Sequence, residues 1–170
     1  MKNMNEIKYP YLPEGRQIKY VDEHNKFIIL AKETASRSKD QSTPTGSVSV
    51  VGIVEIAMAS NKPPISNKNL VKLHKKYCIR RIFKIPSGQK YWMCPGCAGS
   101  ENHAEYRVAQ EMIQKGIRDF DLYLWGHWWC CKPCWDKMIE AGVKDVYLLE
   151  NSEILFNPEK PGNIIGRQFK

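Results

Sequence analysis

The chain has 170 residues, 42% hydrophobic and 26% charged, which suits one soluble domain with one sizeable core and excludes a disordered or fibrous polymer. No stretch approaches the roughly 18 continuous apolar residues of a membrane span, and the polar start, Met1 to Tyr9, lacks the apolar region of a signal peptide, so a cytoplasmic protein with no membrane partner is expected. The net charge of +8 suits an anionic ligand, a nucleotide phosphate or a nucleic acid, although a solvated basic surface produces the same excess.

Pro10, Pro13 and Gly15 mark residues 1–20 as an irregular arm, and residues 21–170 read as a single domain. Asp22 to Ser38 reads as a helix: Phe27, Leu30, Ala31 and Ala35 recur at helical spacing and Asp22 can cap the start. Ser36–Gly46 is a polar loop. Ser47–Val51 alternates like a half-buried strand, Gly52 breaks it, and Ile53–Ala59 returns as the second arm of a hairpin before Asn61-Lys62-Pro63-Pro64. Residues 65–100 are the least regular and read as an insertion; they hold the densest basic run, Lys68 to Lys90. A helix starts at His103, with Ala104, Val108, Met112 and Ile113 as its apolar stripe and Gly116 as its end. Asp121–Trp125 is a strand. Pro133 opens a helix with Trp135, Met138 and Ile139 on its apolar face, Gly142 closes it, and Val143–Leu149 is a further strand. This order favours α/β architecture, a mixed sheet with helices packed on it.

The chemistry concentrates in His103-Ala104-Glu105 and Cys131-Lys132-Pro133-Cys134. One imidazole and two thiolates fill three corners of a zinc tetrahedron and leave the fourth open to water, which separates a catalytic zinc from a structural one. Both ligand groups fall at predicted helix starts, where partial positive charge and free N–H groups favour thiolate. A carboxylate two residues after the His ligand can move protons, and H-x-E…P-C-x-x-C is the signature of zinc deaminases, with Glu as general acid/base. Glu105 would take a proton from water, oxygen would attack the ring carbon bearing the exocyclic amine, and Glu105 would return the proton to the adjacent ring nitrogen and assist ammonia departure.

Two other pairings are open. Cys94-x-x-Cys97 with Cys131-x-x-Cys134 makes a closed four-Cys ribbon, and Cys130 can replace Cys131 as ligand at a wider spacing. A second, structural zinc is also open: His74 and Cys78 with Cys94 and Cys97 complete a closed tetrahedron that would hold the insertion together. Trp125, Trp128 and Trp129 beside the metal loop can stack on a base or fill a core or subunit interface, and His127 has no assigned role.

The chain resembles the cytidine and deoxycytidylate deaminase superfamily, the deoxycytidylate branch most closely. Ser38-Lys39-Asp40-Gln41-Ser42-Thr43-Pro44-Thr45-Gly46-Ser47-Val48 is similar to that branch's S-K-D-P-S-T-K-V-G-A-V segment, Cys78-Ile79-Arg80 to its C-x-R element, and Ala141-Gly142-Val143-Lys144-Asp145-Val146 to its A-G-I-K-x-V run. The resemblance covers roughly residues 25–150. It implies a three-layer α/β/α fold with a mixed central sheet, His103, Cys131 and Cys134 as zinc ligands, and Glu105 as proton shuttle. It also implies self-association, and Asn61 as a hydrogen-bonding partner of the substrate sugar; a plain turn residue is the other reading of Asn61. Some members of the branch carry a second zinc near the same place. The chain departs from the pattern at Cys130, where the family has Pro, at Tyr106-Arg107 for Asn-Ala, at Ala59-Ser60 for Gly-Tyr, and in a metal loop about two residues longer. The expected activity is zinc-dependent deamination of a cytosine nucleotide, deoxycytidine monophosphate first. The alternatives are a deaminase acting on a base in RNA or single-stranded DNA, and a non-catalytic zinc-stabilised binding module.

Overall fold

The computed structural model describes residues 7–40, 43–85, 89–97 and 99–169. Residues 1–6 of the expected arm and Gln41-Ser42 of the loop before the first hairpin lie outside the described residues. Five strands form one mixed sheet in the order β1-β5-β4-β2-β3. β1 (Ile18–Val21) runs parallel to β5 (Val143–Leu149), and β5 runs parallel to β4 (Phe120–Trp125). β2 (Gly46–Val51) is antiparallel to both β4 and β3 (Val54–Ser60), with a register shift at Ser49/Val50 in the hairpin.

Strand alternation divides the core into two layers. From β4, Phe120, Leu122 and Leu124 join the cluster under α4 (Ala104–Lys115) and α5 (Lys132–Ala141). Tyr123 and Trp125 point to the opposite face, against Phe27, Ile28, Ala31 and Ala35 of α1 (Lys26–Ser36). Helices therefore cover both faces, the α/β/α arrangement expected. α1 starts later than Asp22 because Asn25 caps it, its Oδ1 accepting from the N–H groups of Phe27 at 3.0 Å and Ile28 at 3.3 Å. Asp22 instead accepts from the His24 N–H at 2.7 Å. A Cβ at Gly46 would lie 2.1 Å from the Ala31 carbonyl oxygen, so only glycine lets β2 approach α1 this closely.

The sequence pattern missed the first strand and several short elements. β1 begins inside the segment that its Pro and Gly residues marked as an arm. The insertion contains a ten-residue helix, α2 (Lys68–Tyr77), capped by Asn67, then α3 (Ile79–Ile82) and two single 3-10 turns, Tyr91–Met93 and Ser100–Asn102. α6 (Ser152–Leu155) follows the sheet. No helix among the described residues is long and apolar enough to cross a membrane.

Candidate metal centre

α4 and α5 lie side by side on one face of the sheet, and each begins at a potential ligand. His103 is the N-cap residue of α4 and Cys131 that of α5, with Pro133 and Cys134 in the first turn of α5. The loop that reaches Cys131 leaves the carboxyl end of β4 through Gly126, whose φ of +96° and closeness to Pro44 (a Cβ would meet that carbonyl oxygen at 2.3 Å) exclude a side chain.

His103 Nδ1 stands 3.6 Å from Cys131 Sγ and 3.4 Å from Cys134 Sγ, and the two sulfurs are 3.3 Å apart. Zinc bonds of about 2.3 Å to sulfur and 2.0 Å to nitrogen give tetrahedral edges of about 3.8 Å and 3.6 Å, so the donor set fits a zinc ion with a few tenths of an ångström of adjustment. Glu105, 5% exposed in the first turn of α4, brings Oε1 to 3.9 Å from His103 Nδ1. The Cys134 hydrogen bond pulls the Cys131 thiol down to about 6, against burial and with help from His103. Burial pushes Cys134 well up. Burial works to lower the His103 pKa, but the Cys131 contact and the Glu105 charge outweigh it and raise it. Cys130 is fully buried in the core beneath, its thiol pushed up by burial, and is not one of the grouped donors.

His74, Cys78, Cys94 and Cys97 form a separate group, their donor atoms within 4.8 Å of one another. Cys97 Sγ lies 3.4 Å from Cys78 Sγ and 3.5 Å from His74 Nε2. A Cβ at Gly96 would sit 2.3 Å from the His74 ring, so the Cys94-Pro95-Gly96-Cys97 knuckle closes flat on the imidazole. Burial acts to raise the Cys94 thiol, but the backbone N–H groups of Gly96 and Ile79 and the neighbouring sulfurs bring it below its ordinary value. Burial pushes Cys97 up to about 11. The donors thus divide into a three-residue and a four-residue group, and the Cys94/Cys97–Cys131/Cys134 ribbon is not formed.

The remaining residues fall around these groups. Asn61 follows β3 and clasps the loop at residues 38–45: its Oδ1 accepts from Ser38 Oγ at 2.6 Å and the Thr45 N–H at 2.9 Å, and its Nδ2 donates to the Thr43 carbonyl at 2.9 Å and to Asp40 at 3.4 Å. Arg107 donates to the Ser60 carbonyl, so two of the departures from the family pattern touch each other beside Asn61. The Trp residues split between layers. Trp125 packs on Phe156, Trp129 packs edge-on to Tyr9 of the N-terminal arm at 5.1 Å, and both are buried. His127 accepts from the Trp129 N–H at 3.3 Å, and burial, reinforced by His103, pulls its pKa down to about 4.

One signal in the sequence is sharper than net charge. Nine of the 26 Lys and Arg, and none of the 18 Asp and Glu, fall between Glu55 and Glu101, leaving 17 against 18 for the rest of the chain. The whole positive excess therefore belongs to the insertion and its approach, beside the first donor group.

Comparison with known proteins gives the family of the chain. A family model described as the cytidine and deoxycytidylate deaminase zinc-binding region matches residues 21–150. Among solved structures, the apo dCMP deaminase of cyanophage S-TIM5 is 17% identical over 76% of this chain and 86% of that one, with a TM-score of 0.43. None of the curated proteins compared matches. A match over most of the chain, spanning both donor groups and Glu105, means that this protein belongs to the cytidine and deoxycytidylate deaminase family, a family of zinc-dependent deaminases acting on cytosine.

Proposed function

We propose that the chain hydrolyses the exocyclic amine of a free cytosine nucleotide, with deoxycytidine monophosphate as the first substrate to try. The observation that carries this reading is the three-donor group of His103, Cys131 and Cys134 with the Glu105 carboxylate beside it. Three protein donors leave a tetrahedral ion one open position, and a zinc ion there supplies a Lewis acid that makes water a nucleophile near neutral pH. Glu105 takes the proton from the attacking water and passes it to the ring nitrogen next to the carbon under attack. It then takes the second proton, from the hydroxyl newly bonded to that carbon, and delivers it to the departing amine, so that C=O replaces C–N and ammonia leaves. α4 and α5 aim their N-termini at the site and favour the anionic thiolates. In this reading Asn61 meets the sugar by exchanging one of its loop contacts, and Lys and Arg of the insertion receive the phosphate. His74, Cys78, Cys94 and Cys97 hold a second, structural zinc. Self-association, with Val54 and Met58 on edge strand β3 as apolar surface for a second copy, and a reducing cytoplasmic setting complete the proposal.

The test is Glu105→Gln. It is expected to lower turnover of deoxycytidine monophosphate by about 10²–10⁴-fold while zinc content stays at the wild-type value; undiminished ammonia release rejects Glu105 as the shuttle. Wild-type protein that binds zinc and releases no ammonia from any cytosine substrate identifies the non-catalytic binding module.

The charge distribution favours one further reading, a base within single-stranded RNA or DNA. In the acid-free insertion Tyr77, Phe83 and Trp92 are 54%, 68% and 83% exposed, the combination of cations and aromatic faces that single strands use. A cytosine-containing oligonucleotide deaminated faster than the mononucleotide, with affinity falling by a log–log salt slope of about −0.7 per phosphate contacted, selects this substrate over the free nucleotide.

A further inference from the structure

The imidazole of His103 has two nitrogens, and the three-donor group uses only Nδ1. Nε2 lies 3.2 Å from the hydroxyl oxygen of Tyr91, and the two rings meet edge to face, 5.6 Å apart at 85°. With Nδ1 facing two sulfurs, the ring proton belongs on Nε2 and is donated to that oxygen; such an outer partner fixes both tautomer and ring orientation in metal-binding histidines. Tyr91 comes from the insertion, in the 3-10 turn that runs directly into Cys94. Its ring is held from behind. The Arg80 guanidinium stacks on it with Cζ 4.2 Å from the centroid, a cation–π contact strengthened by desolvation, since Arg80 is only 7% exposed. Arg80 Nε donates to the Gln89 carbonyl at 3.0 Å. Arg80 itself sits two residues after Cys78.

Each member of this chain of contacts is thus tied to a donor of the four-residue group: Arg80 to Cys78, whose Sγ lies 3.4 Å from Cys97 Sγ, and Tyr91 to Cys94, whose N–H donates to the Tyr91 carbonyl at 3.2 Å. We propose that Tyr91 is a positioning residue for the catalytic histidine, and that the second His/Cys group acts on the first through Arg80 and Tyr91. The inference rests on the reading that His103, Cys131 and Cys134 hold zinc. The insertion is then more than a basic appendage: closing its knuckle sets the angle at which His103 presents Nδ1 to the metal.

The test uses full-length protein and two variants. Tyr91→Phe removes one oxygen and leaves both donor groups intact. Its first site is expected to bind zinc about 10–100-fold more weakly in chelator competition, the usual cost of losing an outer partner, with a matching fall in kcat and little change in KM. Cadmium-113 spectra separate the two sites by their sulfur count. The two-sulfur signal moves or loses occupancy in Tyr91→Phe while the three-sulfur signal stays. Cys97→Ala touches no first-site donor, yet it is expected to weaken the first site in the same direction. Adding Tyr91→Phe to it costs little more, because both act through one path. Unchanged first-site affinity and an unmoved two-sulfur signal in Tyr91→Phe, or strictly additive losses in the double variant, overturn the proposal. Wild-type protein with no two-sulfur cadmium signal means instead that the first site is not a metal site, which is a failure of the parent reading and is recognised as such.

Discussion

The two His/Cys groups use almost the same side chains on opposite kinds of support. His103, Cys131 and Cys134 start helices that bury Val108, Met112, Trp135 and Met138 against the sheet. Those helices have their own reason to exist, so the site can spare a coordination position for chemistry. His74, Cys78, Cys94 and Cys97 join segments with almost no buried apolar surface: α2 has no buried residue, and α3 buries only Arg80. There the donors themselves supply the interior. In the proposed reading, closely similar ligand chemistry serves reactivity where a scaffold exists and supplies the scaffold where none does.

Substitution should separate these roles, and the largest effect belongs to the first group. Cys134→Ser is expected to abolish turnover and remove one zinc per chain while far-UV circular dichroism stays near wild type, because α5 keeps Trp135 and Met138 in the core; collapse of the helical signal would show that the metal builds this region too. Cys97→Ser should act first on the insertion, weakening the first group only indirectly. It leaves the sheet folded and opens the insertion, so trypsin cleavage between Lys68 and Lys90 rises by at least about tenfold, the equivalent of some 1.4 kcal/mol of local opening. An unchanged cleavage rate would mean that the insertion holds without its metal. Gly46→Ala tests the scaffold alone. A methyl pressed on the Ala31 carbonyl forces α1 off the sheet, costing about 1–3 kcal/mol as overpacking does, read as a lower urea midpoint with both zinc ions retained.

The smallest effect is a pH dependence confined to the sheet. Burial, reinforced by the stacked Tyr147 ring 4.6 Å away, pushes the Tyr123 phenol up to about 12. In the unfolded chain it ionises near its ordinary 10. The folded state therefore keeps a proton that the unfolded state loses, and this contribution to stability is complete below pH 10 and disappears as pH rises towards 12. Tyr123→Phe should lessen the alkaline loss of stability over that interval. An identical alkaline slope in both proteins would mean that the ring is not buried as described.

The grouping of His103, Cys131 and Cys134 was legible because its spacing and its helix-start positions coincide: His103 precedes an apolar stripe, and Cys131 precedes Pro133. Strands β2 to β5 were legible in the sequence while β1 was not, and continuing the alternation of β4 from Tyr123 to Trp125 would have assigned Trp125 to the α1 layer rather than to the metal loop. α2 was not legible as core-seeking structure because its apolar side chains, Leu70, Leu73 and Tyr77, are spaced for a helix but stay exposed. Its support comes from His74 and the knuckle instead. Asn25 displaced Asp22 as the cap of α1 because both are good capping residues three positions apart, and only packing chooses between them. Tyr91 carried no motif at all. Its part depends on a contact across twelve residues of chain, through a segment in which periodicity is silent.

Gly126 has a reach beyond its own turn. It rests against the Pro44 carbonyl, Thr45 gives its amide hydrogen to Asn61, and Arg107 grips the carbonyl of Ser60 next door. Backbone from three separate stretches is thereby welded into one wall running from the cysteine loop to the asparagine. A methyl group introduced at residue 126 would be felt at the far end of that wall, so the clasp made by Asn61 and the seating of the cysteine loop should shift together.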